Sequence, residues 1–378
     1  MFIRRAILSF TIFAGLSSAA LATEYPLTIT DMAGRTVTVT EEPQRIALQD
    51  GRDAMMLALL DRENPFRRIT VWNNILSRDD ASAWKLLSGK WPAAAKITDM
   101  GFGDNGQVNL EQLIAGRPQV VFAEARTMGS LKEAGVESRL GDLKIPLIYV
   151  DSFNRPVPNA AASVDLIGKV LNREKEATEY TSFYADHLKH LQEVTVRIPV
   201  KARVFVEALA GRSGPEQCCF THGKIGWGSL VEAAGAENIG AKLLSKATGD
   251  VTLETVLAEK PDVYVMTGTQ STRSGAAFAP FGYDADPAKI TDAMAVLEKR
   301  PGFAQLEAAK KGRVFGIWHL FYNHPYNVVG LEHLAKFAYP KELADLDPDA
   351  TYNTIIQRFT QIPVQAFTHA AAAPRVGQ

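Results

Sequence analysis

The chain has 378 residues, more than one typical compact domain and close to the length of two. Its 46% hydrophobic and 22% charged residues are ordinary for a globular protein and exclude wholesale disorder. A formal net charge of −1 leaves no surplus of Lys and Arg to neutralise a nucleic-acid backbone. Two cysteines are too few for a disulfide framework or a four-cysteine zinc site.

The first 22 residues have the pattern of a secretory signal. Arg4 and Arg5 precede an apolar run over 6–16, and small residues follow, with Ala20 and Ala22 in an A-x-A pattern. The run is too short to span a bilayer. We expect cleavage before residue 23 and export, most simply to a bacterial periplasm. The absence of a cysteine at the cleavage point gives no indication of a lipid anchor.

Periodicity along the mature chain predicts an α/β protein. Residues 27–31 and 36–40 alternate as the strands of a hairpin, and 32–35 form its turn around a glycine. Helical stretches separate most of the short apolar runs that follow, which is typical of buried parallel strands. These runs cover 119–123, 147–150, 203–206, 262–266 and 314–317.

A long helical segment divides this pattern in two. Apolar residues recur at helical spacing over 159–196, and we expect one long helix over about 174–196. Because an α/β pattern flanks it on both sides, we interpret it as a rod joining two lobes. The predicted domains are a signal peptide (1–22), an N-terminal lobe (23–172), a connecting helix (173–198), a C-terminal lobe (199–367) and a disordered tail (368–378).

An internal repeat supports two related lobes. Residues 108–122 align with 251–265 at a constant offset of 143 positions. Each copy contains a capped helix start (Asn109, Thr252), a short amphipathic helix, a basic residue followed by Pro, and a buried strand. This duplication predicts two similar lobes facing one cleft, where a ligand would bind.

Two other motifs carry less weight. The glycines of 101–106 match G-x-G-x-x-G, but no good strand leads into them and no helix opens directly from them. We therefore interpret this segment as a loop and not as a dinucleotide site. Cys218 and Cys219 are adjacent, and the sequence leaves open whether they form a strained vicinal disulfide or stay as free thiols.

Arginines recur shortly after the predicted strands, at Arg126, Arg155, Arg212 and Arg273. If several converge in the cleft, they favour an anionic ligand through bidentate contacts. His319 and His324 lie in the aromatic loop after the last strand, where ligand contact and simple packing both remain open. The residues expected to border the ligand are Trp72, Arg126, Arg155, Arg212, Trp318 and Tyr322.

The sequence resembles the periplasmic substrate-binding proteins of iron–siderophore and cobalamin ABC transporters. The opening 29–39 with 42–47, the paired Asn-Leu-Glu and Thr-Leu-Glu segments of the repeat, and 228–240 carry the resemblance. It implies two Rossmann-like lobes with parallel sheets, joined by a long rigid helix. In that family a glutamate on each lobe pairs with arginines of the permease, which here implies Glu111 and Glu254. An insertion over 72–96 and the loop with the two cysteines depart from shorter members.

The resulting hypothesis is a monomeric periplasmic binding protein, not an enzyme and without a resident cofactor or metal. It would capture a ferric siderophore and deliver it to the permease subunits of an inner-membrane ABC importer. One alternative is a protein of the same fold for haem, cobalamin or an oxyanion. Another is a periplasmic metal-dependent enzyme using the loop 318–324, where the sequence offers two histidines but no obvious third ligand.

Overall fold

Two five-stranded sheets organise the protein in the computed structural model, which describes residues 23–101, 107–272 and 278–374. The expected signal peptide, most of the glycine motif of 101–106, Arg273 and the last four residues lie outside the described part of the chain. Both sheets are mainly parallel with helices between successive strands, so the predicted α/β class is confirmed.

The first sheet has five strands in the order Thr98–Asp99, Ile69–Trp72, Ile46–Leu48, Val120–Glu124 and Leu147–Val150, with all pairs parallel. The strands of the first half of the chain are β1 (Leu27–Thr30), β2 (Thr36–Val39), β3 (Ile46–Leu48), β4 (Ile69–Trp72), β5 (Thr98–Asp99), β6 (Val120–Glu124) and β7 (Leu147–Val150). The helices are α1 (Ala54–Leu60), α2 (Leu76–Asp79), α3 (Ala81–Lys90), α4 (Leu110–Ala115), α5 (Met128–Glu133), α6 (Val136–Asp142), α7 (Pro156–Val170) and α8 (Glu174–Thr195).

The second sheet has five strands in the order Glu237–Asn238, Arg203–Glu207, Val263–Gly268, Val314–Trp318 and Ala370–Ala372. The last of these alone runs antiparallel to its neighbour. The strands are β8 (Arg203–Glu207), β9 (Phe220–His222), β10 (Glu237–Asn238), β11 (Thr248–Asp250), β12 (Val263–Gly268), β13 (Gly282–Tyr283), β14 (Val314–Trp318), β15 (Phe367–Thr368) and β16 (Ala370–Ala372). The helices are α9 (Gly226–Ala233), α10 (Ile239–Leu243), α11 (Leu253–Glu259), α12 (Pro287–Glu298), α13 (Glu307–Lys310), α14 (Asn327–Ala338) and α15 (Pro348–Phe359).

The internal repeat has the same local geometry in both halves. The side chain of Asn109 accepts a hydrogen bond from Gln112 N at 3.0 Å, and Thr252 caps its helix in the same way. The basic residues before the two prolines, Arg117 and Lys260, both adopt positive φ values, 45° and 48°. Each short helix is thereby ended by a left-handed residue that turns the chain into a buried strand.

The long helix α8 contacts elements from both halves of the chain. Its predicted extent, 174–196, is within one residue of the observed Glu174–Thr195. It packs against α1 and α7 of the first half and against α14 and α15 of the second. The Tyr180 hydroxyl donates to the Pro325 carbonyl, and the Tyr184 hydroxyl donates to Asn327 Oδ1 at 2.8 Å. These buried hydrogen bonds fix the helix against the second half.

The C-terminal segment differs from the expected disordered tail. Residues 370–372 form β16, which pairs antiparallel with β14 and completes the second sheet. The Trp318 amide also donates to the His369 carbonyl at 2.7 Å. Small alanine side chains fit beside the buried strand, so an apparently featureless Ala-rich stretch gains order from pairing that local sequence does not reveal.

Candidate functional site

A cavity of about 250 Å³ lies between the two halves, at the carboxyl ends of both sheets. Most of its lining side chains follow β3, β4, β6 and β7 of the first sheet and β8, β12 and β14 of the second, and the others lie on the separate β9–β11 pair. Ligands in open α/β sheets bind at such edges. The cavity is lined by Arg52, Ile75, Asp79, Arg126, Phe153, Leu209, Phe220, His222, Thr248, Thr269, Ser271, Phe278, His319, Leu320 and Tyr322.

Two arginines that follow strands of the first sheet line this cavity and contact the same carboxylate, that of Asp50. Arg52 Nε donates to Asp50 Oδ1 at 2.8 Å, and an Arg126 amino group donates to Asp50 Oδ2 at 3.0 Å. Burial alone would raise the pKa of Asp50, but the charge and hydrogen bonds of Arg52, with the charge of Arg126, hold it below its usual range. The site therefore places two guanidinium groups around one ionised carboxylate.

Two further acids in this region are held towards their neutral forms. Burial, reinforced by the charge of Asp50, raises the pKa of Glu124 to about 7 despite the opposing charge of Arg126. Burial and the charges of Glu124 and Asp50 raise the pKa of Asp53 well above its usual range. Burial thereby limits the negative charge behind the arginines near neutral pH. Asp79 supplies a carboxylate at the rim, 4.0 Å from Arg52.

The second half contributes aromatic and imidazole groups. The Tyr322 ring lies 5.5 Å from Phe153 of the first half and 5.2 Å from His222, centroid to centroid. Burial lowers the pKa of His222 to about 4, so its ring is neutral at neutral pH. The Trp227 amide donates to His222 Nδ1 at 3.1 Å. A neutral ring whose Nδ1 accepts carries its proton on Nε2, which suits donation to an anionic ligand.

A second cavity of about 420 Å³ adjoins the first and shares Thr269, Ser271 and Phe278 with it. Its other lining residues include Gln270, Pro280 and Lys289. Space at the cleft therefore continues along the loop after β12, and a ligand larger than the inner cavity has room to extend outward.

The structure brings together some of the residues expected at the ligand and separates others. Arg126 and Tyr322 line the inner cavity. Trp72 differs from the expectation, because it is fully buried in a hydrophobic core. Its ring centroid lies 5.6 Å from that of Phe66. Trp318 is also buried and is not a lining residue. Both tryptophans lie at strand ends, of which the sequence predicted only the strand before Trp318, and both side chains pack inward.

The other two arginines of the expected set lie outside the cavity lining. Arg155 is exposed just before α7. Arg212 is exposed, pairs with Asp250 at 2.8 Å, and stacks over the Phe220 ring at 3.8 Å. Because Phe220 itself lines the cavity, Arg212 supports the wall from behind.

The sequence left open whether His319 and His324 contact a ligand and whether Cys218 and Cys219 form a disulfide. His319 lines the cavity and its Nδ1 lies 2.7 Å from the Thr267 hydroxyl, whereas His324 is buried behind Trp318 and is not a lining residue. Cys218 and Cys219 are joined as a vicinal disulfide beside the Tyr264 hydroxyl, and neither lines the cavity.

Sequence reasoning missed most of the lining, including three residues that define the chemistry of the site: Arg52, His222 and Phe153. Arg52 follows β3 within four residues, so the rule applied to the other arginines would have found it, whereas Phe153 follows β7 and is not an arginine. His222 lies on β9, which pairs with β11 outside the main sheet, and its position depends on that pairing.

The insertion over 72–96 forms α2 and α3, which contact the second half of the chain. The Thr269 hydroxyl donates to the Asp79 carbonyl at 3.1 Å, and the Ala81 amide donates to the Gln270 carbonyl at 3.0 Å. The insertion thus bridges the cleft at the rim of the inner cavity.

The two glutamates of the repeat occupy equivalent exposed positions. Glu111 lies in the first turn of α4 and Glu254 in the first turn of α11. Hydrogen bonds from its own backbone and from Thr252 lower the pKa of Glu254. Their place at helix starts is therefore consistent with local stabilisation, and their exposure also suits contact with a partner.

The sequence is similar to known proteins over most of its length. The model of the family described as periplasmic binding protein matches residues 53–318. An uncharacterized ABC transporter substrate-binding lipoprotein, YvrC of Bacillus subtilis, is 24% identical over 86% of this chain and 89% of its own. The molybdate-binding protein MolA of Haemophilus influenzae is 22% identical over 92% of this chain and 94% of its own.

The chain is also similar to a solved structure over nearly its whole length. The TroA-like periplasmic binding protein FepB of Veillonella parvula superposes with a TM-score of 0.82 and 25% identity, covering 92% of this chain and all of that one. Within the described ranges, no helix combines the length and apolar character needed to cross a bilayer.

Proposed function

This chain belongs to the periplasmic binding protein family, and we propose that it captures a ferric siderophore in the cleft between its two sheets. Members of this family are substrate-binding proteins of ABC transporters and not enzymes. We further propose that the protein acts in the periplasm and delivers the chelate to the permease subunits of an inner-membrane importer.

The convergence of Arg52 and Arg126 at the inner cavity is the observation that carries the ligand assignment. Guanidinium groups in a largely desolvated site favour an anion, since charge-assisted hydrogen bonds contribute about 1.5–3 kcal/mol each. Asp79 places an opposing charge beside Arg52, so the most anionic part of the ligand is expected nearer Arg126.

The aromatic walls and the adjoining space favour a chelate over a bare inorganic ion. Phe153, Phe220 and Tyr322 offer ring faces to the flat, apolar parts of an organic ligand. The inner cavity of about 250 Å³ opens towards a neighbouring one of about 420 Å³, which gives room for organic arms beyond the iron centre.

An oxyanion of the molybdate type is the second candidate. The small inner cavity, its hydroxyl groups at Thr248, Thr269 and Ser271, and the similarity to MolA favour it. Such an ion would occupy the inner cavity alone and leave the adjoining cavity of about 420 Å³ without a role.

A ligand screen with the mature protein separates the two candidates. We expect iron(III) complexes of citrate, hydroxamates or catecholates to raise the melting temperature and to appear one per chain in native mass spectrometry, with little effect from molybdate. Binding of molybdate, haem or cobalamin in preference to every iron complex would contradict the siderophore assignment.

A further inference from the structure

A second group of ligating side chains lies where α14, α15 and the C-terminal segment meet. His333 lies on α14, Asp349 lies in the first turn of α15, and His369 lies between β15 and β16. One ligand atom of each lies within 4.8 Å of the other two. None of the three lines the cleft cavity. We propose that these residues bind one divalent transition-metal ion, with Zn²⁺ as the best match.

The burial of the two imidazoles is the first argument for a built site. His333 and His369 are only 8% and 5% exposed. Among the described residues, the Nε2 atom of each is buried without a hydrogen-bond partner. A buried polar atom without a partner costs about 1–3 kcal/mol. A metal ion bound to His333 Nε2 would remove one of these two costs.

The spacing of the ligand atoms is the second argument. His333 Nε2 lies 3.7 Å from Asp349 Oδ1, which is too long for a hydrogen bond. Two ligands at about 2.0–2.2 Å from one tetrahedral zinc ion lie roughly 3.3–3.6 Å apart. His369 Nδ1 contacts the same carboxylate oxygen more closely, so that pair must separate when an ion enters.

The mobility needed for that separation belongs to the carboxylate. The Asp349 side chain is 69% exposed, so packing does not fix its orientation. His369 is held between the Tyr352 and Phe367 rings, at centroid distances of 4.5 and 4.8 Å. Phe321 and Phe337 lie beside His333. Two fixed imidazoles and one adjustable carboxylate are therefore available for metal binding.

The donor set identifies the class of ion. Two imidazole nitrogens and one carboxylate oxygen, with a solvent-facing side for a water molecule, suit four-coordinate zinc. A bound ion would fasten residues 367–372 to α14 and α15, and through β16 to the edge of the second sheet. Lys336 is a nearby cation on α14, but its amino group donates to the Leu346 carbonyl.

Calorimetric titration of the chelator-treated chain from residue 23 onward with ZnCl₂ tests the site, and Co²⁺ absorption reports its geometry. We expect one tight site in the unchanged protein and a tetrahedral cobalt spectrum. Asp349→Asn, His333→Gln and His369→Gln should each weaken zinc binding by at least about tenfold. Asp349→Asn is the main variant because this exposed side chain makes no helix cap, so the fold should persist.

Two control variants separate this site from other histidines. His190→Gln, on the exposed face of α8, and His222→Gln, in the cleft, should leave zinc affinity unchanged. The proposal is overturned if the unchanged protein binds no zinc more tightly than about 100 μM, or if Asp349→Asn and His369→Gln both retain full affinity. Loss of the zinc site in His222→Gln alone would place the metal in the cleft and also overturn it.

Discussion

The indole Nε1 of Trp318 donates a hydrogen bond of 3.1 Å to Oδ2 of Asp80, a residue 238 positions earlier in the chain. Both side chains are buried, and each comes from a different half of the protein. Asp80 also caps α3 by accepting from the Ala83 amide at 3.0 Å. One carboxylate therefore both starts the helix of the insertion and ties that insertion to the second sheet.

This contact predicts a distinct pH dependence of stability. Burial raises the pKa of Asp80 to about 6, against hydrogen bonds from Ala83, Ser82 and Trp318 that lower it. The native state thus binds this proton more tightly than the unfolded state. The contribution of Asp80 to stability falls as pH rises from about 4 to about 6, and is flat above.

Asp80→Asn removes the titration while an amide oxygen can still cap α3. Relative to the unchanged protein, the variant should gain about 1–3 kcal/mol in free energy of unfolding between pH 4 and pH 7. Urea unfolding at several pH values measures this. Trp318→Phe, which removes the donor and keeps the carboxylate, should retain the pH slope. Parallel curves for Asp80→Asn and the unchanged protein would contradict the assignment.

Arg126 should carry much of the ligand affinity. Arg126→Ala removes a guanidinium that lines the cavity and should weaken binding of the iron complex identified by screening by about 1.5–3 kcal/mol, or roughly ten- to a hundredfold. Arg155→Ala is the matched control, since that arginine is exposed and lies outside the cavity lining. Isothermal titration calorimetry measures the ligand affinity of both variants. Equal affinities would argue against an anionic ligand at Arg126.

Ligand affinity should fall as pH rises through neutrality because of Glu124. Its pKa of about 7, raised first by burial and then by Asp50, means that it ionises in this range close to Arg126. The added negative charge opposes an anionic ligand, so we expect affinity to drop about three- to tenfold from pH 6 to pH 8. Glu124→Gln should flatten this profile. An unchanged slope in the variant would assign the effect to another group or to the ligand.

Glu111 and Glu254 are predicted to orient the protein on its transporter. Both are exposed at equivalent positions of the two halves. Glu111→Ala combined with Glu254→Ala should leave ligand affinity and folding intact while transport into permease-containing proteoliposomes falls sharply, with smaller losses for the single variants. Glu133→Ala with Glu193→Ala is a matched control of exposed glutamates. Normal transport by the first double variant would leave only the helix-end role.

Gly228 should be essential for folding, unlike Gly141. A Cβ at Gly228 would collide with the Gly223 carbonyl oxygen and the Asn238 amide, both fixed in the second half. Gly228→Ala should therefore lower the free energy of unfolding by about 3 kcal/mol or more. At Gly141, in α6, a Cβ would meet no atom of the described residues within 4 Å, so Gly141→Ala should be neutral or stabilise by up to about 1 kcal/mol. Equal denaturation midpoints for the two variants would contradict this.

The sequence alone determined the architecture because local signals were strong and repeated. The apolar runs identified β6 and β7 of the first sheet and the three central strands of the second, and the long helical period placed α8 to within a residue of its observed end. The offset repeat with its caps at Asn109 and Thr252 indicated two similar halves. Each of these features depends on neighbours within a few residues, which periodicity and capping chemistry report directly.

Only the tertiary structure decided which side chains meet in the cleft. Arg126 and Trp72 both lie at the ends of parallel strands, yet one lines the cavity and the other is buried in a core. The choice depends on which face of the sheet edge each side chain covers, and that is set by contacts between distant parts of the chain. The same reason explains why the sequence did not predict β16 or the group formed by His333, Asp349 and His369. The C-terminal segment is ordered by pairing with β14, which lies more than 20 residues earlier in the chain, and its own composition specifies no structure.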